Sequence, residues 1–139
     1  MAEELFPIVD EQGNTIGKAT RKECHGGTFY LHPVVHLHVF NSKGELYLQK
    51  RSMSKDIQPG KWDTSVGGHV DYGEEVETAL RREAREELGI SEYEPKLLCR
   101  YIWQSAREKE LVNDFYCIYD GDFNIDPVEI DEGRFWSFE

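Results

Sequence analysis

One helix whose core-facing stripe turns acidic constrains this chain more than any other feature. Between Glu74 and Leu88, the residues Val76, Ala79 and Leu80 recur at the i, i+3, i+4 spacing that points toward a core. The next positions on that stripe are Glu83 and Glu87, and Glu86 lies beside them, since 83, 86 and 87 are related by steps of three and four. Locally this is unfavourable. Glu83 and Glu87 repel at i, i+4, and Glu86 and Glu87 occupy the last turn, where the helix dipole favours cations; each effect costs from a few tenths to about 1 kcal/mol. A solvated acidic face is one account of such a run. A hard divalent cation that wants oxygen ligands is the other, because it converts the repulsion into binding energy.

Charge and composition bear on the choice. The chain has 139 residues, enough for one domain spanning 1–139, and no repeat, low-complexity tract or proline-rich linker marks a boundary. Its 16 basic and 27 acidic side chains give a net charge of −11, which repels a nucleic-acid polymer. A small anionic substrate is compatible with that surface where a cation inverts the local charge. Met1-Ala2-Glu3-Glu4 opens no targeting pattern, and no stretch approaches the roughly 20 apolar residues of a membrane span. Cys24, Cys99 and Cys117 are odd in number and form no C-x-x-C pair, which argues against a disulfide framework or thiolate zinc site and for a reducing cytoplasm.

The rest of the sequence predicts strands around this helix. Leu5 to Val9 and Thr15 to Thr20 flank Glu11-Gln12-Gly13-Asn14 as an opening hairpin, and Val34 to Phe40 turns through Asn41-Ser42-Lys43-Gly44 into Glu45 to Gln49 as a second. Ser52 to Lys61 reads as a loop, and Trp62 to Val66 as a short strand running into Gly67-Gly68. Leu97 to Gln104, Leu111 to Tyr119 and Arg134 to Phe138 read as later strands. The expected class is α/β with a mixed sheet.

Gly68, then Glu74, then Arg82-Glu83-Ala84-Arg85-Glu86-Glu87-Leu88-Gly89-Ile90 stand at the spacing of the Nudix box, with no charged position substituted across Gly68 to Ile90. The chain resembles the Nudix hydrolases. The resemblance implies a Nudix-type α/β/α sandwich on a mixed β-sheet, with a loop-helix-loop catalytic segment at its edge. It also implies Mg²⁺ or Mn²⁺ held by Glu83, Glu86, Glu87 and the Gly67 carbonyl, with Glu83 as base toward water and Arg82 and Glu74 holding the segment in shape. The reaction implied is hydrolysis of a diphosphate linkage in a small molecule, without a covalent intermediate.

From about Thr20 to Gly89 the chain also resembles the isopentenyl-diphosphate isomerases, through His25, His32, Lys50-Arg51-Ser52-Met53-Ser54-Lys55, Pro59-Gly60-Lys61-Trp62 and Ser65-Val66-Gly67-Gly68-His69. That resemblance implies a second metal site at His25, His32 and His69 with Asp114 as its carboxylate, and a diphosphate grip by Arg51 and Lys55. The isomerases place a cysteine where this chain has Gly67, and two glutamates around an asparagine where it has Val112-Asn113-Asp114, so one acid is lost and Asp114 remains as a shortened one. Hydrolysis fits these substitutions better than isomerisation; a non-catalytic diphosphate sensor is a further reading.

Several residues keep two readings at this stage. Single strand histidines are often structural. His36 and His38 share a face with Val34 and Phe40, to line a pocket or cap the sheet. Arg51, Lys55 and Lys61 suit phosphate oxygens, or solubility. Trp62, Trp103 and Phe115 suit stacking on a substrate, or packing. Asp126, Glu129, Asp131 and Glu132 crowd the segment before Phe135-Trp136, where one further carboxylate is expected to join the metal. The sequence stops at Ser137-Phe138-Glu139, where relatives continue into a helix on the sheet, so a homodimer partner is one candidate to cover that side.

Overall fold

In the computed structural model, which describes residues 4–53, 60–128 and 130–138, strands β1 (Leu5–Val9) and β2 (Thr15–Thr20) pair antiparallel in the expected hairpin. A one-turn helix α1 (Arg21–Cys24) follows that apolar periodicity does not reveal. Its signal is a capping box: Glu23 N–H donates to Thr20 Oγ1 at 3.1 Å, and Thr20 N–H donates to Glu23 Oε1 at 2.9 Å. Then come β3 (Leu31–Phe40), β4 (Leu46–Arg51), β5 (Trp62–Asp63), β6 (Val66–His69), α2 (Val76–Leu88), β7 (Lys96–Gln104), β8 (Lys109–Ile118) and β9 (Ile130–Trp136).

The main sheet runs β5-β4-β3-β8-β7, with β6 also paired to β3 and β9 to β4. Strands β3 and β8 are parallel and the other pairs antiparallel, so the sheet is mixed, as expected. A parallel pair needs a long crossover, and this one carries α2. Alternation along β3 sends Val35, Leu37 and Val39 into a core with Ala79, Leu80, Ala84 and Leu88 of α2. His32, Val34, His36 and His38 therefore face the other side, where Phe6 of β1 stacks on His69 with ring centroids 4.5 Å apart.

Among the boundaries that differ from the sequence reading, three shape the surroundings of α2 and the sheet edge. The strand expected at Trp62–Val66 is two strands, and β6 takes Gly67-Gly68-His69 into the sheet, because β4 leaves β3 after two paired positions and β6 occupies the vacated edge. Strand β9 begins at Ile130, not near Arg134, since pairing with β4 overrides the weak strand preference of Asp131, Glu132 and Gly133. Helix α2 begins at Val76 with Glu75 as N-cap, so Glu74 sits just outside it. At the other end Gly89, at φ 68°, closes the helix in the left-handed conformation that its C-terminal position requires. Among the described residues no helix is long and apolar enough to cross a membrane, and all three cysteines are free thiols.

Candidate active site

Helix α2 and strand β6 form the acidic end of a cleft of about 630 Å³, whose lining includes Gln49, Gly67, Gly68, Glu83, Glu86 and Glu87. Arg82 organises this end. Its Nε and Nη2 donate to Glu74 Oε2 and Oε1 at 2.9 and 3.0 Å, a bidentate pair. Its Nη1 donates to Glu83 Oε1 at 2.8 Å, and Nη2 donates to the His69 carbonyl at 3.0 Å. Glu86 lies 3.5 Å from the same guanidinium and is more exposed than Glu83. Glu74 is anchored in turn by Asp71 N–H at 3.0 Å, and hydrogen bonding from Arg82 holds its carboxyl below the usual range. Thus Glu74 and Arg82 tie the segment before the helix to its second turn.

Glu83 and Glu87 lie against each other on the inner wall of the cleft. Burial pushes both carboxyls up, Glu87 well above the ordinary value, and the contact with Glu83 raises Glu87 further. Gln49 Nε2 donates to Glu87 Oε1 at 2.7 Å, whereas Glu87 Oε2 is buried with no hydrogen-bond partner among the described residues.

The two glycines of β6 have different roles. A Cβ added to Gly68 would stand 2.2 Å from Cδ of Glu83, which Arg82 prevents from swinging aside; one added to Gly67 would meet His36 Cδ2 at 3.5 Å, an ordinary contact. Gly68→Ala is therefore expected to lower the melting temperature by several degrees, from overpacking worth about 1–3 kcal/mol, while Gly67→Ala melts like the parent. Equal melting of the two variants would show that Glu83 is not held against Gly68.

Toward the other end of the cleft, His25, His32 and His69 converge with ligand atoms within 4.8 Å of one another. His25 Nε2 is 3.3 Å from His69 Nε2 and 2.9 Å from Glu108 Oε2. His32 Nδ1–H donates to the Tyr30 carbonyl at 3.0 Å, which fixes the tautomer and leaves Nε2 bare, buried and unpartnered among the described residues. That atom is 4.0 Å from Glu108 and 3.9 Å from Glu110. Burial lowers all three imidazoles, His69 to about 3, and together with Glu108 pushes Glu110 up to about 7. Neutral imidazoles are the ligand form of histidine.

Asp114, expected in this second set, does not join it. It stands opposite His36 in the β3–β8 register whereas Glu110 stands opposite His32, and four residues of strand separate those rungs by about 13 Å. Asp114 Oδ1 instead meets His38 Nε2 at 2.6 Å. Glu108 and Glu110 were the carboxylates to find, and their signal is an i, i+2 acidic pair at the start of a strand, which alternation aims at one face.

Arg51 lines the cleft, 3.7 Å from Asp63, and His36 and Asp126 line it as well. Lys61 is exposed and is not among the described residues around the cleft; Lys55 and Glu129 lie outside the described residues. Asp131 accepts from Met53 N–H at 3.3 Å, and Glu132 stands opposite Lys50 on the sheet. Phe115 packs on the core, Trp62 meets Trp136 edge-on at 5.3 Å, and Trp103 is exposed.

A mixed sheet carrying one glutamate-rich helix, braced by an arginine and closed against two glycines, defines a class of protein, and comparison with known proteins identifies it. The NUDIX domain family matches residues 30–139. An uncharacterized Nudix hydrolase of Yersinia pestis is 35% identical over 138 residues, covering 93% of this chain and 70% of its own length. Isopentenyl-diphosphate Delta-isomerase 1 of Photorhabdus laumondii is 34% identical, covering 95% of this chain and 78% of its own. Among solved structures, DR0079 of Deinococcus radiodurans superimposes with a TM-score of 0.81 at 30% identity, covering 95% of this chain and 82% of that one. The chain belongs to the Nudix family, with the Nudix fold, and is an enzyme of the hydrolase class.

Proposed function

We propose that this enzyme cleaves a diphosphate linkage in a nucleoside-diphosphate-type or other small organic substrate, with Mg²⁺ or Mn²⁺ held by Glu83, Glu86, Glu87 and the Gly67 carbonyl. The observation that carries this reading is Glu87 Oε2, a buried oxygen without a partner among the described residues, on a carboxyl that burial drives toward its neutral form. Buried polar atoms are almost always satisfied. A divalent cation supplies the partner and displaces the proton, and an all-oxygen donor set fits Mg²⁺ or Mn²⁺.

When bound, the metal supplies Lewis-acid polarisation of a phosphoryl oxygen and a lowered pKa for the attacking water. The chain's own residues do the remaining work. Glu83 accepts the proton of water, and Arg82 holds its Oε1 so that the carboxylate keeps one orientation. Glu74 keeps Arg82 in place. Arg51, on the cleft wall, presents its guanidinium to phosphate oxygens. Asp126 is the downstream carboxylate that reaches the same cleft. His25, His32 and His69, joined by Glu108 and Glu110, make a second cation site, for which the bare Nε2 of His32 is the fitting donor.

The isomerase reading draws support from the Photorhabdus relative and the three histidines. Against it, Gly67 carries no group that could transfer a proton. One panel separates the readings: phosphate and pyrophosphate release from nucleoside di- and triphosphates, nucleotide sugars, dinucleotides and isoprenoid diphosphates, with Mg²⁺, with Mn²⁺ and with chelator. Metal-dependent release is expected. Silence across the panel, with deuterium uptake from heavy water into isopentenyl diphosphate, would assign the isomerase instead; silence with tight binding of an intact diphosphate would assign a sensor.

A further inference from the structure

Gln49 brings a neutral side chain to the acidic end of the cleft from β4, outside both α2 and β6. Where β4 departs from β3, the fork between β3, β4 and β6 has lost its regular ladder, and side chains replace it. Val39 N–H donates to Ser65 Oγ at 2.9 Å, and the Ser65 hydroxyl donates to the Tyr47 carbonyl. Gln49, only 6% exposed, completes the stitch: its Nε2 donates to the Ser65 carbonyl at 3.0 Å and to Glu87 Oε1 at 2.7 Å.

A side-chain amide nitrogen has two hydrogens, and both are used here. The opposite amide orientation would set its oxygen against two acceptors, so the network admits one orientation. The amide cannot turn without leaving a buried carbonyl and a buried carboxyl unpaired. One oxygen of Glu87 is thereby tied to the sheet, and the other, Oε2, is the atom left open. A lysine or arginine at this position would pin Glu87 but neutralise it; an acid would repel it. A neutral donor fixes the carboxylate and leaves its charge for a cation.

We propose that Gln49 is the positioning residue of the metal site, holding Glu87 so that Oε2 faces the cation and coupling the sheet fork to α2. This rests on the reading of Glu87 as a metal ligand. Partners one layer behind a metal ligand change affinity by roughly 10- to 100-fold when removed.

The test is Mn²⁺ titration by electron paramagnetic resonance, with thermal melts, on the parent, Glu87→Gln, Gln49→Met and Gln49→Asn. The sites lost in Glu87→Gln are expected to be weakened roughly 10- to 100-fold in Gln49→Met, with the remaining Mn²⁺ sites unchanged and most of kcat recovered at saturating Mn²⁺. Gln49→Asn, which keeps the amide but is too short to reach both acceptors, is expected to fall between Gln49→Met and the parent, and serves if the methionine variant does not fold. A lowered melting temperature with parental Mn²⁺ affinity would make Gln49 merely structural and overturn the proposal. Should Glu87→Gln remove no Mn²⁺ sites, the metal reading falls along with it; should it remove them while both Gln49 variants bind as the parent does, only the Gln49 proposal falls.

Discussion

Replacing Glu87 by glutamine should abolish metal-dependent turnover, by roughly a thousandfold in kcat, while making the metal-free protein more stable at neutral pH. The first effect follows from losing a ligand charge, since a catalytic metal contributes several kcal/mol and each 1.36 kcal/mol is about tenfold in rate. The second follows from linkage. Burial raises the Glu87 carboxyl well above its ordinary value of 4.5, so its contribution to stability is present below that value and is lost as pH rises through the folded one. A glutamine has no such loss, keeps the shape, and can still accept from Gln49. The stability gain should therefore be largest at pH 8 and shrink toward pH 4.5, measured by denaturant melts in chelator beside turnover assays at pH 8. Parental kcat in the variant would remove Glu87 from the site.

Arg82→Ala is the second large effect, and it is structural first. The side chain joins Glu74, Glu83 and the His69 carbonyl, and is 23% exposed, so its removal strands partly buried carboxylates. Breaking such a pair costs about 3–5 kcal/mol when fully buried, and the partial exposure places this one near the lower end. For a chain of this size that is a fall of roughly 10 °C in melting temperature. Turnover should fall with it, because Glu83 loses the donor that orients it. Arg82→Lys restores charge but not the bidentate geometry, and should recover stability only in part. A melting temperature within a degree or two of the parent in Arg82→Ala would show that Glu74 and Glu83 are satisfied by water, not by this guanidinium.

Much of the acidic end was legible beforehand. The stripe Val76, Ala79, Leu80, Glu83, Glu87 lies within one helix, where a fixed period decides which residues share a side, and Gly89 marks the end for a backbone reason. The first hairpin was legible for the same local reason: its two runs and their turn are contiguous. Even α1 left a trace, in the spacing of Thr20 and Glu23. The histidine set was legible only through resemblance, and its carboxylates were misread as Asp114 because nothing within β8 says which of its residues stands opposite His32.

By itself the sequence determined the glutamate-rich helix, its C-terminal glycine cap, the glycines before it and the family these imply, because each depends on spacing within a few consecutive residues. The tertiary structure alone decided that Gln49 meets Glu87, that Glu110 and not Asp114 faces His32, that Asp126 reaches the cleft and that Lys61 stays outside it. Those facts depend on strand register and on where β4 parts from β3. Both are set by the packing of segments distant in sequence, and no local period encodes them.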